Sequence, residues 1–306
     1  MGSSQSTPAP QHVLVVGGTG RTGRRLVSAL CDDPNFTVSA LVRDADKAQL
    51  VFGDKDVDIV HGDLKDVDAW AHNLKGVSQV VTAVSCGQWV DLGVLVGLKP
   101  EPANMPYKTD AQGIANLAAA AKEHGVSRIV AVTTASAGSP WSPAAIFLNA
   151  VHYLSVKRKW EGEQAIRASG LDYVVLRPYG LGPDAPPGDE PAPAPARGVE
   201  WSQGEPVGRE RRRIPRDDVA RMCHEALRLT PEEAPRATFE CWATEKHRRP
   251  MDWSALRADP PGPLPEVNHD IPVAMVVGGG VLGVAAILRG SWRLSNRIVN
   301  GWLRRR

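Results

Sequence analysis

The 306-residue chain carries only four cysteines, Cys31, Cys86, Cys223 and Cys241. They are scattered with no metal-ligand spacing, so no metal site is expected, and reduced thiols in a cytosol-like compartment are. Charge of one sign is also lacking. A net charge of +2, from 36 basic and 34 acidic residues, gives no bulk attraction for nucleic acid or for an acidic partner. The N-terminus is polar and has no apolar core, so no secretory leader is expected. No internal repeat is apparent, and no feature sets an oligomeric state.

What is there begins with His12-Val-Leu-Val-Val-Gly-Gly-Thr-Gly-Arg-Thr-Gly-Arg-Arg-Leu-Val27. The run Val13 to Val16 reads as a buried strand. It breaks into a turn holding Gly17, Gly18, Thr19, Gly20, Arg21, Thr22 and Gly23, and a helix-like segment follows from Arg24 to Leu30. Glycine lets the chain turn tightly and lets backbone N–H groups approach a pyrophosphate seated on the positive end of the helix. Strand before and helix after make this a dinucleotide site rather than a bare glycine pattern.

Further strands are predicted at 36–42, 57–60, 77–84, 128–133 and 172–177. Helices are predicted at about 110–124 and, as one long element, at 144–169. Strands separated by helices imply parallel pairing and an α/β, doubly wound Rossmann-type sheet, with the ligand at the carboxyl ends of the strands. The predicted organisation is a flexible N-terminus (1–10), an NAD(P)-binding domain (11–245), a Pro-rich linker (246–270) and a tail (271–306). Residues 182–206, rich in Pro and Gly, are expected to be irregular.

The end of the second strand selects the cofactor. An NAD site places Asp or Glu there, about twenty residues past the glycine turn. This chain has Leu41-Val-Arg-Asp44, with Arg43 in that position. A guanidinium can grip a 2′-phosphate with two parallel hydrogen bonds, and Arg21 could supply a second contact, so NADP(H) is favoured. Asp44 falls one residue late. Asp63, followed by Leu64, offers a carboxylate near the adenine edge or a turn-capping Asp.

Gly17-Gly-Thr-Gly-Arg-Thr-Gly23, Leu41-Val-Arg43, Gly62-Asp-Leu64 and Ser169-Gly-Leu-Asp-Tyr-Val-Val-Leu-Arg-Pro178 together resemble the atypical short-chain dehydrogenase/reductases, more narrowly the NmrA-like members. The segments Gly113 to Val130 and Arg213 to Ala220 extend the resemblance over about residues 11 to 245. The resemblance implies the fold and the cofactor class. It implies no single reaction, because the group includes reductases, redox sensors and assembly factors. Arg177 and Pro178, before Tyr179, resemble the family's turn beside the nicotinamide amide.

Catalysis in the wider superfamily uses Tyr-x-x-x-Lys on one helix, where a turn's separation aims both residues at the nicotinamide. Tyr153 and Lys157 fit that spacing, with Tyr153 as proton donor. Thr133, Thr134 or Ser136 could polarise a carbonyl. A second register exists. The family's Lys-x-x-x-Glu, counted back from Ser169-Gly170, falls on Lys159 and Glu163 and puts Ser155 in the tyrosine's place. Pairing Lys157 with Glu161 restores Tyr153. Two residues turn a helix by about 200°, so only one register can face the cofactor. Trp89 to Leu98 could line a substrate pocket or cover the sheet. Cys86 has nothing nearby in sequence to activate it, and the Arg209 to Arg213 cluster reads as a solvated loop.

The termini point to a membrane. Met1-Gly-Ser-Ser-Gln-Ser6 matches a myristoylation pattern. Ile271 to Leu288 is uncharged and as a helix would span about 27 Å, near the roughly 30 Å of a hydrocarbon core. Six arginines among the last eighteen residues follow, interleaved with apolar side chains suited to anionic headgroups. The sequence therefore reads as an NADPH-dependent reductase of a small-molecule carbonyl or conjugated substrate, at the cytoplasmic face of a membrane, with the tail either an anchor in an organelle membrane or lying in the interface. A non-catalytic NADP(H)-binding regulatory or scaffold protein is the alternative, and an epimerase or dehydratase a third.

Overall fold

The computed structural model describes residues 9–182, 198–204, 213–244, 251–265 and 267–272. The Val-rich start forms β1 (Gln11–Val16), whose last four residues are buried, as a strand covered on both faces requires. The chain then alternates through α1 (Gly23–Cys31), β2 (Phe36–Val42), α2 (Ala45–Phe52), β3 (Asp58–His61), α3 (Val67–Trp70) and β4 (Gln79–Thr82). It continues through α4 (Leu92–Leu95), α5 (Ile114–Glu123), β5 (Arg128–Val132), α6 (Pro143–Val151), α7 (Ser155–Ser169) and β6 (Asp172–Pro178). β7 (Gly198–Ser202), α8 (Arg216–Arg228) and β8 (Ala237–Thr244) complete it.

The strands form one sheet in the order β3-β2-β1-β4-β5-β6-β8-β7. Every pairing is parallel except that of β7, which runs antiparallel along β8 at the edge. β1 lies between β2 and β4, so the connections reverse direction at its carboxyl end, the crevice where such sheets bind ligands. Two apolar layers sandwich the sheet. Leu26, Val27 and Leu30 of α1, Ala48 and Phe52 of α2 and Val219, Met222 and Ala226 of α8 fill one face. Trp70 of α3, Leu117 and Ala121 of α5 and Ile166 of α7 fill the other. This is the expected doubly wound Rossmann-type architecture.

The structure differs from expectation in four places. The single helix expected at 144–169 is two, because Tyr153 and Leu154 adopt positive φ (49° and 60°) between α6 and α7. The helix expected from residue 110 starts earlier, as a π-helical segment over Tyr107–Gly113 that runs into α5. Within the stretch expected to be irregular, residues 198–202 form β7, and β8 was not anticipated at all. The Pro-rich linker does not stand away from the domain over its described part. Trp253 and Leu256 join the α1/α2/α8 layer, and His269 is 1% exposed.

That last contact depends on Asn149 of α6. Its Oδ1 accepts from the backbone N–H groups of Val156 (2.9 Å) and Lys157 (3.1 Å), capping the first turn of α7. Its Nδ2 lies 3.3 Å from His269 Nδ1, while His269 Nε2 lies 3.0 Å from the Ala137 carbonyl oxygen. A neutral imidazole donating from Nε2 and accepting at Nδ1 satisfies both. Burial drives the His269 pKa down, and Lys157 adds to the effect.

The Met1–Ser6 pattern, most of the Arg209–Arg213 cluster and residues 273–306 lie outside the described residues. No helix among the described residues is long and apolar enough to cross a membrane.

Candidate active site

A cleft of about 490 Å³ opens along the carboxyl ends of β1, β2, β4 and β5. Its floor is the glycine turn. Gly17 sits at φ +83°, a conformation that favours glycine, and its carbonyl accepts the N–H of Gly20 at 2.9 Å. At Gly23, the first residue of α1, a Cβ would stand 2.2 Å from the Gly17 carbonyl oxygen. No side chain fits there, so strand end and helix start close on each other. This is the cradle a pyrophosphate needs. Gly17, Thr19, Gly20, Arg21 and Thr22 line the cleft, whereas Gly18 packs against Ala40 and Phe52 beneath it.

One end of the cleft is cationic. Arg21, Arg43 and Lys47 all line it. Asp44, the acid that would have competed with Arg43, is the N-cap of α2 and accepts the Lys47 N–H at 2.9 Å. Among the described residues the exposed Arg43 makes no hydrogen bond or ion pair. Asp63 and Leu64 line the same cleft, Asp63 accepting the Lys65 N–H at 3.1 Å. Lys47 is not legible from the strand end, because it lies on α2 and reaches the cleft only through the fold.

At the other end stand Val84, Ser85, Thr133, Lys159 and Leu181. Lys159 Nζ donates to Asp110 Oδ1 at 2.6 Å and to the Val84 carbonyl at 3.2 Å. Asp110, 2% exposed, also accepts the Cys86 N–H at 3.1 Å through its other oxygen. It lies in the π-helical segment, which packs so tightly on α7 that a Cβ at Gly162 would stand 2.3 Å from the Asp110 carbonyl oxygen. Lys159, not Lys157, therefore lines the cleft, while Ser155, which that register puts in the tyrosine's place, does not. Asp110 went unnoticed in the sequence because nothing local links it to residue 159.

Tyr153 and Lys157 are not brought together as the spacing implied. One turn of separation aligns two side chains only when both lie on one helix, and Tyr153 lies on the left-handed turn before α7. Its hydroxyl accepts the Asp91 N–H at 2.8 Å. Lys157 Nζ pairs with Asp270. Neither lines the cleft. Thr133 does, but its hydroxyl donates to Glu163 Oε1 at 2.6 Å. Ser136 sits half-buried in a 3-10 turn over Ala135–Gly138, outside the cleft lining.

Arg177 and Pro178 end β6 beneath the site rather than lining it. The Arg177 guanidinium grips fully buried Glu163 through Nε (3.1 Å) and Nη2 (2.5 Å). Burial works against that cation, but Glu163 outweighs it and raises the Arg177 pKa. Glu163 thus ties β5 and β6 to α7. Cys86 is buried, and burial raises its thiol pKa, which makes it a poor nucleophile.

Residues 17–229 match the family described as NAD(P)H-binding. The chain is similar to an uncharacterized chloroplastic protein of Arabidopsis thaliana, with 32% identity over 61% of this chain and 65% of that protein. It is also similar to a 3-diazoavenalumate denitrifying reductase of a Streptomyces species, 33% identical over 55% of each chain. The chain thus spans less than two thirds of the length of these two relatives. Among solved structures it resembles ChuY, an anaerobillin reductase from Escherichia coli O157:H7, with a TM-score of 0.56. That match has 21% identity and covers 79% of this chain and all of the other, which shows the shared fold.

Proposed function

The chain belongs to the NAD(P)H-binding family, and from that premise we propose that it is an NADPH-dependent reductase acting on a carbonyl or conjugated small molecule. The observation carrying the choice of NADPH is Arg43, which borders the cleft without an ion pair while Asp44 is consumed as a helix cap. Arg21 and Lys47 add positive charge at the same end. A 2′-phosphate offers such a cluster charge-assisted hydrogen bonds that a 2′-hydroxyl cannot. The glycine turn and the N-terminus of α1 would hold the pyrophosphate, with Asp63 and Leu64 along the adenosine. The NmrA-like subgroup is our finer placement, on the motifs quoted above.

When bound, the cofactor supplies a hydride. The protein's part falls to Lys159. Its ammonium has three donors, of which Asp110 and Val84 take two, leaving one N–H for a substrate oxygen. A fixed cation there stabilises negative charge developing on that oxygen, and the alkoxide formed by hydride addition takes its proton from solvent water to complete the reduction. The similarity to a reductase among the relatives supports this reading over a purely structural one.

The test is a titration of the full chain with NADPH and NADH, in wild type and Arg43→Ala. Loss of one charge-assisted contact should weaken NADPH binding by about 10- to 100-fold and leave NADH within about threefold. Equal effects on both would refute the 2′-phosphate role. Tight NADPH binding with no oxidation of it across a panel of carbonyl and conjugated acceptors would refute the reductase assignment.

A further inference from the structure

Eight of the ten large apolar side chains exposed among the described residues lie in three segments that meet at α6. The first is the loop and short helix at 89–98, with Trp89 65% and Leu98 83% exposed. It is fixed to the end of α6, because the Trp89 ring packs at a tilt against His152, centroids 4.3 Å apart, and the Val90 N–H donates to the Val151 carbonyl at 2.9 Å. The second is α6 with its approach, where Trp141 and Phe147 are 59% and 58% exposed. The third is Ile271, two residues past the His269 that Asn149 of α6 holds.

Residues 139–156 contain no Asp, Glu, Lys or Arg. A helix apolar all round is normally covered on every side, yet here one side buries Ala145 and Asn149 while Phe147 faces out. An apolar surface of this kind marks an interaction site. Two large tryptophans at its edge are the side chains that favour a membrane–water interface. The described chain reaches this surface at its end, at residues 271–272. In sequence, residues 273–288 are uncharged, and six arginines follow.

We propose that the surface formed by residues 89–98, α6 and Ile271 docks on the headgroup region of an anionic lipid bilayer. The apolar side chains insert at the acyl boundary, and the attraction between the terminal arginines and the anionic lipid adds to that insertion. The domain then rests on the bilayer by its own face, through side chains that lie outside the cleft lining.

The test uses the full chain with phosphatidylcholine vesicles, with and without phosphatidylserine, in a flotation assay. The variants are Trp89→Ser/Trp141→Ser/Phe147→Ser and, as a control, Leu50→Ser, an 87% exposed leucine on α2. The triple variant should bind phosphatidylserine vesicles at least about tenfold more weakly, and Leu50→Ser should bind as wild type. Phe147→Ser alone, should the triple variant fail to fold, should weaken binding in the same direction. Binding by the triple variant equal to wild type would mean that the tail alone anchors the chain, and would overturn the proposal. So would weakening by Leu50→Ser as well, absence of wild-type binding, or a loss of self-association by the triple variant in sedimentation with vesicle binding unchanged.

Discussion

Lys159 Nζ and Asp110 Oδ1 stand 2.6 Å apart at the inner end of the cleft, the carboxylate buried and the lysine nearly so. The pair joins α7 to the π-helical segment, and removing one member leaves the other as an uncompensated charge. Lys159→Met should therefore cost about 3 kcal/mol, while Lys159→Met with Asp110→Asn should recover part of it. Chemical denaturation of the two single variants and the double variant measures the coupling. Simple additivity would mean that the pair is not coupled.

The glycine turn makes a second prediction. Gly23→Ala sets a methyl group against the Gly17 carbonyl, and because the collision is with backbone no side chain can yield. NADPH affinity should fall by more than about tenfold, with a stability loss of about 1–3 kcal/mol. Gly87→Ala, where the added atom meets nothing within 4 Å, should do neither. A Gly23→Ala protein that binds like wild type would show that the turn opens freely.

Tyr153→Phe tests the helix break. The hydroxyl bonds to the backbone of Asp91, so its loss should cost about 1 kcal/mol of stability and leave reductase turnover within a few-fold. A general acid would lose about 10²- to 10⁴-fold in rate. Steady-state kinetics of this one variant therefore decides whether the tyrosine reaches the reacting atoms in solution.

Histidine 269 gives a pH dependence with a definite sign. In the folded chain burial holds its imidazole neutral below the ordinary value of 6.5, while in the unfolded chain it takes up a proton there. Lys157 reinforces the shift; the Ala137 carbonyl, Asp270 and Glu161 oppose it without reversing it. The unfolded state binds more protons in that window, so this contribution is complete above pH 6.5 and is lost as pH falls below it. The unfolding midpoint of wild type should drop more steeply below pH 6.5 than that of His269→Gln. Parallel curves would mean that the imidazole titrates alike in both states.

Much of the fold was legible because its signals are local. The Val13–Val16 run, the glycine turn and the alternating segments after it need no distant partner to be read. Arg43 was legible for the same reason, since strand-end position alone brings it to the cleft. What stayed hidden depends on tertiary contacts. His152-Tyr153-Leu154 contains neither glycine nor proline, so nothing local announces the left-handed turn. It is held by the Asp91 N–H on the Tyr153 hydroxyl and by the Leu154 N–H on the Asn149 carbonyl. Asp110 and Lys159 meet across 49 residues. Their contact depends on Gly162, whose missing side chain reads in sequence only as a weak spot in a helix. β8 carries a buried Glu240 and lacks the plain Val/Ile run that marked β1, β4, β5 and β6.

The amide of Asn149 has a mechanical consequence. It holds the first turn of α7 with one atom and the C-terminal segment with another, and Lys157 on that turn also grips Asp270. A pull on the chain beyond residue 272 is delivered to the start of the helix that carries Lys159, and to the Ala137 turn through His269, before it reaches any strand. Tension there would thus be felt first at the start of the helix whose Lys159 lines the cleft.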